Sequence, residues 1–279
     1  MSRASAARLV LLAAIWGASF LFVRIAAPVI GPVATADLRM LVGGGALAAY
    51  YAATGFDAKW RRWWPHYLAI GALNCAAPFL LYGYAALALT AGLLAVLNAT
   101  SPMWGALLSV LVLRERLSGP RLAGLLFGVA GVALVCAPEG SAGWLAVAAG
   151  LAAAFCYALT GVILKRWASE ASARGMAAGT QMMGGLLVLP LLALAPPAAF
   201  TPGIVGALLA LGLVCGALAY VLYFRLIVDL GPTGALTVTY LIPLFGVLWG
   251  ALFLHEPLTA PMVLGALVVV AGTALVLRG

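Results

Sequence analysis

The chain has 279 residues, of which 66% are hydrophobic and 8% charged, with mean hydropathy +1.16 and net charge +8. A water-soluble domain carries roughly 25% charged residues, so composition excludes one. The cations are scattered between apolar stretches and form no run, which argues against a nucleic-acid face.

Ten apolar stretches follow one another at about 6–27, 33–53, 66–87, 91–113, 120–137, 143–165, 174–194, 202–226, 233–254 and 258–277. Each is near the ~20 residues that a helix needs to cross the hydrocarbon. They predict an all-α integral membrane protein of ten transmembrane helices joined by short loops. The first stretch is span-length and lacks a cleavage context, so it is expected to be helix 1 and not a removed signal. With the N-terminus in the cytoplasm, every Lys and Arg except Arg24 and Arg39 falls at a cytoplasmic loop or span end. That bias predicts cytoplasmic N- and C-termini. Trp60, Trp63 and Trp64 are expected at the cytoplasmic mouth of helix 3, and Trp144 and Trp167 at the ends of helix 6, as interfacial anchors. Trp16, Trp104 and Trp249 fall within spans, where an interfacial role does not account for them.

The chain also repeats itself. A shift of 141 positions places Trp16 on Tyr157, Arg24 on Lys165, Tyr82 on Tyr223, Pro102 on Pro243 and Glu115 on Glu256. Nearly half the positions between Pro102 and Val135 recur. Residues 1–138 and 142–279 are therefore expected to be two five-helix repeats. Five is odd, so the second repeat enters the membrane from the opposite side and the two are expected to be inverted.

Polar residues inside the spans carry the functional signal. Both Asn and the single Gln, at Asn74, Asn98 and Gln181, lie in spans 3, 4 and 7. A carboxamide facing lipid leaves donors and acceptors unmet, so each must face a neighbouring helix or a cavity. Aromatics recur at helical spacing beside them. Trp16, Phe20 and Arg24 share a stripe on helix 1; Asn74, Pro78 and Tyr82 line a face of helix 3; Tyr157, Gly161 and Lys165 repeat the first stripe on helix 6. Gly216, Tyr220 and Tyr223 approximate one face of helix 8, and Tyr240 lies one turn before Pro243. These patterns nominate Trp16, Phe20, Asn74, Tyr82, Asn98, Tyr157, Gln181 and Tyr240 as substrate-binding residues. Pro78, Pro102 and Pro243 are nominated as kinks beside the substrate path. Aromatic walls with neutral hydrogen bonders suit a small amphipathic solute.

The acids are Asp37, Asp57, Glu115, Glu139, Glu170, Asp229 and Glu256, and only Asp37 falls within a span, near its outer end. A dedicated site for lipophilic cations, or a carboxylate proton relay, would want one at mid-membrane. Arg24 is read as an outer-leaflet anchor or a contact for a substrate carboxylate. Arg39 is read either as such a contact or as the partner of Asp37 or of a carbonyl. Glu115 and Glu256 each precede a proline that opens the next helix, and are expected to accept backbone N–H groups at that following helix. Gly124 with Gly128, and Gly265 with Gly272, allow close helix approach, in a dimer seam or inside one bundle. Cys75, Cys136, Cys156 and Cys215 form no CxxC pair and read as apolar fillers. With no metal spacing, and with His66 and His255 far apart, no enzyme activity, metal site or cofactor is expected.

These features resemble the drug/metabolite transporter superfamily, specifically the bacterial ten-helix EamA-type exporters. The resemblance rests on Trp16-Gly17-x-x-Phe20, on Ala99-Thr100-Ser101-Pro102 followed by Leu113-Arg114-Glu115-Arg116-Leu117, and on Leu241-Ile242-Pro243 followed by Leu254-His255-Glu256-Pro257-Leu258. It covers the whole chain, although helix 6 has Tyr157-Ala158 where the motif has Trp-Gly. Among such proteins the chain looks most like exporters of aromatic and other neutral amino acids, with export or import of other metabolites or drugs as the alternative and a membrane-embedded enzyme as a distant one. The resemblance implies helices packed as a basket around a central cavity, with helices 5 and 10 peripheral. It further implies alternating access in a bacterial cytoplasmic membrane. The partners are then a small-molecule substrate and the lipid bilayer, with no nucleic acid.

Overall fold

The computed structural model describes residues 2–114, 118–135, 141–167, 172–198 and 200–278; Glu115, Cys136 and the Lys165 side chain lie outside what is described. Among the described residues there are ten principal helices, in the order expected. They are α1 (Arg3–Ile30), α2 (Pro32–Ala53), α3 (Trp60–Ala85), α4 (Ala91–Val112) and α5 (Gly119–Val135). The second set is α6 (Ser141–Trp167), α7 (Ala173–Ala193), α8 (Pro202–Gly231), α9 (Gly234–Leu254) and α10 (Ala260–Arg278). Eight are long and apolar enough to cross a membrane. Of the other two, α5 is apolar but only 17 residues long, and α2 carries Asp37, Arg39 and three consecutive glycines.

Local chemistry sets the helix ends. The hydroxyls of Ser2, Thr90, Ser172 and Thr201 each accept an N–H from the first turn that follows. Gly31 (φ 87°) turns α1 directly into α2, a conformation open to glycine. Arg114 and His255, equivalent positions of the two halves, both adopt left-handed φ as they end α4 and α9. The start of α3 lies earlier than the expected residue 66. The helix begins at Trp60, ahead of the apolar run, so Trp60, Trp63 and Trp64 lie inside it. Trp60 packs edge-on against Tyr67, whose hydroxyl donates to the Ala58 carbonyl at 2.6 Å. Contacts within the helix and with its own lead-in extend it past its hydrophobic stretch.

The three prolines do different things. Pro78 follows a wide π-type turn at Ala72–Ala76 in α3. Pro102 opens the second segment of α4 after a break at Ala99–Thr100. Pro243 sits inside an α-helical stretch of α9, Val238–Leu254. A second π-type turn, Ala210–Leu218, lies in α8.

Packing between the halves is reciprocal. A methyl group added to Gly124 would sit 2.6 Å from the Gly272 carbonyl oxygen, and one added to Gly131 would sit 2.9 Å from that of Gly265. Gly124 and Gly131 are the positional equivalents of Gly265 and Gly272, so each residue meets its counterpart's neighbour, as a two-fold axis requires. Equivalent helices α5 and α10 therefore run antiparallel, at backbone contact distances that only glycine permits. This places the small-residue stripes inside one chain. The same exchange relates α2 and α7: Gly44 lies against Met182, and Gly185 against its equivalent, Leu41. Likewise α1 packs on α9 as α6 packs on α4, and α2 on α8 as α7 on α3.

Contacts also correct the reading of three charged groups. Glu256 does not serve the helix after it. Its carboxylate accepts the N–H groups of Ala91 (2.8 Å) and Gly92 (3.3 Å) at the start of α4, in the other half. With Thr90 accepting from Leu93, the first turn of α4 is largely satisfied. Arg24 is tied to the protein, donating to the Ala86 carbonyl at 3.0 Å. Arg39 stacks over the Phe79 ring, 3.8 Å from its centroid, and among the described residues pairs with neither Asp37 nor a carbonyl.

Candidate functional site: a central cavity

Kinks and glycine seams leave a cavity of about 690 Å³ between the halves. Its deep part is walled by Trp16, Phe20, Phe79, Tyr157, Tyr220 and Tyr223, with Asn74, Asn98 and Gln181 among them. Towards one end the wall continues through Ser109, Arg121, Leu164, Leu236 and Leu277. That is the end of the bundle carrying both chain termini, where Arg8 of α1 pairs with Asp229 of α8. At the opposite end the Glu256 contact with α4 joins the halves. A smaller cavity of about 290 Å³ shares Asn74, Leu164 and Tyr220 with the first.

The aromatic wall is internally braced. Trp16 packs on Tyr223 (5.3 Å between centroids) and Tyr220 (6.1 Å), and Phe20 packs edge-on to Tyr82 (5.4 Å). Such contacts hold flat apolar faces in fixed positions. The three carboxamides differ in what they leave free. Asn98 Oδ1 accepts from the Tyr82 hydroxyl at 3.2 Å. Gln181, almost fully buried, donates weakly to the Ala177 and Gly216 carbonyls at 3.4 and 3.5 Å, bridging α7 to α8. Asn74 makes a long contact to Cys75 Sγ at 3.8 Å.

Of the eight side chains nominated from sequence, the structure brings six into the wall: Trp16, Phe20, Asn74, Asn98, Tyr157 and Gln181. Tyr82 stands one layer behind, holding Asn98. Tyr240 is half-buried on α9, outside the wall. Of the prolines only Pro102 faces the cavity. Sequence reasoning missed Ser19, Phe79, Ser101, Thr160 and Thr239, and left Tyr220 and Tyr223 out of its nominated set. The repeat carried the missing signal. Wall residues occur as equivalent pairs, among them Trp16 with Tyr157, Ser19 with Thr160, Asn74 with Cys215, Phe79 with Tyr220 and Asn98 with Thr239. The other in-span tryptophans serve packing: Trp249 donates to the Ala14 carbonyl at 2.9 Å, and Trp104 packs edge-on to Phe155.

Comparison with known proteins agrees with this doubled architecture. The family described as EamA-like transporters matches residues 5–137 and again residues 144–278. YvbV, an uncharacterized transporter of Bacillus subtilis, is 28% identical, over 96% of this chain and 90% of its own. A chloroplastic WAT1-related protein of Arabidopsis thaliana is 27% identical, over 94% of this chain and 66% of its own. Protein PecM of Dickeya dadantii is 26% identical, over 90% and 84%. A solved crystal structure shares the fold with a TM-score of 0.70 at 20% identity, covering 98% of this chain and 96% of the other.

Proposed function

Given that the chain belongs to the EamA-like transporter family, within the drug/metabolite transporter superfamily, we propose that it exports small amphipathic solutes, foremost aromatic and other neutral amino acids. A membrane transporter of this type moves a solute and makes or breaks no covalent bond in it, so the cavity is a binding site and not a catalytic one. The observation that carries the solute class is the wall itself. Flat aromatic faces flank neutral carboxamides and hydroxyls in a space of about 690 Å³, within the range typical of small-molecule sites. The proposed contacts are Trp16, Phe20 and Tyr157 to the apolar group, and Asn74 and Asn98 to the polar end. Gln181 holds α7 to α8 at the cavity floor.

The proposed mechanism is alternating access of two inverted repeats, residues 1–138 and 142–279. Its support is the reciprocal contact pattern: any arrangement that closes one end has a near-equal counterpart closing the other. The basic residues Arg3, Arg8, Lys59, Arg61, Arg62, Arg121 and Arg225 support cytoplasmic termini, and a bacterial cytoplasmic membrane is the proposed location. The cavity then reaches the cytoplasmic side, the loading side for an exporter. Among the described wall residues there is no acid, so transport is proposed to run down the solute's own gradient. The test is purified protein in liposomes with labelled tryptophan, phenylalanine and a panel of other solutes, with and without a pH gradient. Flux of the aromatic amino acids, unchanged by the gradient, is the expected result. Silence of every amino acid beside flux of another solute removes the amino-acid reading.

A further inference from the structure

The cavity wall carries charge of one sign. Among its described residues are Arg39 and Arg121 and no carboxylate. Arg121 lies toward the mouth and has an interaction partner of its own. Arg39 is different. It projects from α2 into the wall that Tyr157 of α6 and Cys215 and Tyr220 of α8 also line. Among the described residues it forms no ion pair and donates no hydrogen bond; its neighbour is the face of Phe79. Asp37, two residues earlier, is fully buried with neither oxygen accepting a hydrogen bond. Residues two apart on a helix point to nearly opposite sides, which keeps that acid from neutralising the arginine.

The guanidinium is half-buried at the cavity wall, and an aromatic face alone compensates its charge only partly. Stacking on Phe79 fixes the plane of the group and leaves its N–H edges available. Those edges match the two oxygens of a carboxylate in a forked pair. The repeat sharpens the point. The position equivalent to Arg39 is Thr180, so the nearly two-fold wall has this cation on one side only. A ligand with one anionic end and one flat apolar end has a single way to lie: the anion at Arg39 and the ring among the aromatic side chains.

We propose that Arg39 is the carboxylate-reading residue of this transporter, and that its ligands are aromatic carboxylates in which an ammonium group is dispensable. The inference rests on the reading of this cavity as the solute site. It goes beyond amino acids because the described wall residues provide a counter-charge for the carboxylate and none for an amine.

The experiment is equilibrium binding of tritiated 3-phenylpropionate to the purified full chain in detergent, with phenylalanine and phenethylamine as competitors. Expected are saturable binding, competition by phenylalanine, and none by phenethylamine at a hundredfold excess. Arg39→Met should weaken binding at least tenfold, with Arg39→Lys between it and the native chain. Competition by phenethylamine equal to that of phenylalanine, absence of 3-phenylpropionate binding, or native affinity in a monodisperse Arg39→Met protein would each overturn it. The ligand panel on the native chain decides even if the Met variant misfolds. If 3-phenylpropionate binds through Arg39 while liposomes move no amino acid, the amino-acid reading fails and this one stands. If phenylalanine flux is equal in native and Arg39→Met protein, the reverse holds.

Discussion

At the scale of single residues, the pair Tyr82–Asn98 separates wall from support. The Tyr82 hydroxyl donates to Asn98 Oδ1, leaving the Asn98 amide N–H groups directed by that bond. Tyr82→Phe removes the donor while keeping the ring against Phe20. A lost hydrogen bond of this kind is worth about 1 kcal/mol, or roughly fivefold in affinity. Solute affinity should fall by that factor with little change in thermal stability, and Asn98→Ala should cost more, since it removes a wall group directly. Wild-type flux at every concentration in both variants would reassign the pair to packing. The nominated wall was legible in sequence where a residue type was rare: two Asn and one Gln have nowhere cheap to go in lipid. Hydroxyls were not, because Ser19 and Thr160 satisfy themselves on their own helix backbone and carry no such penalty. Tyr240 shows the limit of stripe reasoning, since helical spacing gives a face but not which neighbour that face meets.

At the scale of helices, ends carried less information in sequence than spans did. The apolar lengths located all ten helices because the bilayer imposes that length. Partners of the helix ends were hidden, since Glu256 reaches a turn 165 positions earlier in the chain. A carboxylate at a helix start satisfies orphan N–H groups and meets the positive end of the helix dipole. Removing such a cap typically costs about 1 kcal/mol. Glu256→Ala should therefore lower Tm by a few degrees, and Glu256→Gln, which keeps an acceptor, by less. Equal melting of all three proteins would mean that water satisfies the α4 start as well as Glu256 does. The same variants should loosen the end of the bundle opposite the termini, because this contact crosses between the halves.

For the molecule as a whole, the cavity wall runs on to the end bearing the termini, through Ser109, Arg121, Leu236 and Leu277. Thr239→Cys, on a background without the native cysteines, places a thiol on the wall. A membrane-impermeant thiol reagent should modify it from the face that carries the termini and slowly from the other. Modification only from the far face would reverse the orientation drawn above. Saturating 3-phenylpropionate should slow that reaction.

The π-type turns have a consequence of a different kind. A π-type turn is a helix holding one residue more than its regular hydrogen-bonding allows, commonly near functional sites. The two here, Ala72–Ala76 and Ala210–Leu218, fall at matching positions, with Gly71 equivalent to Gly212 and Asn74 to Cys215. Two separate insertions at one place, each surviving the packing strain, are a costlier history than one. The extra residue thus belongs to the ancestral single unit and was copied with it. Descent of both halves from one doubled unit accounts for the two turns at once, and the turns put Asn74 and its equivalent Cys215 at the cavity wall.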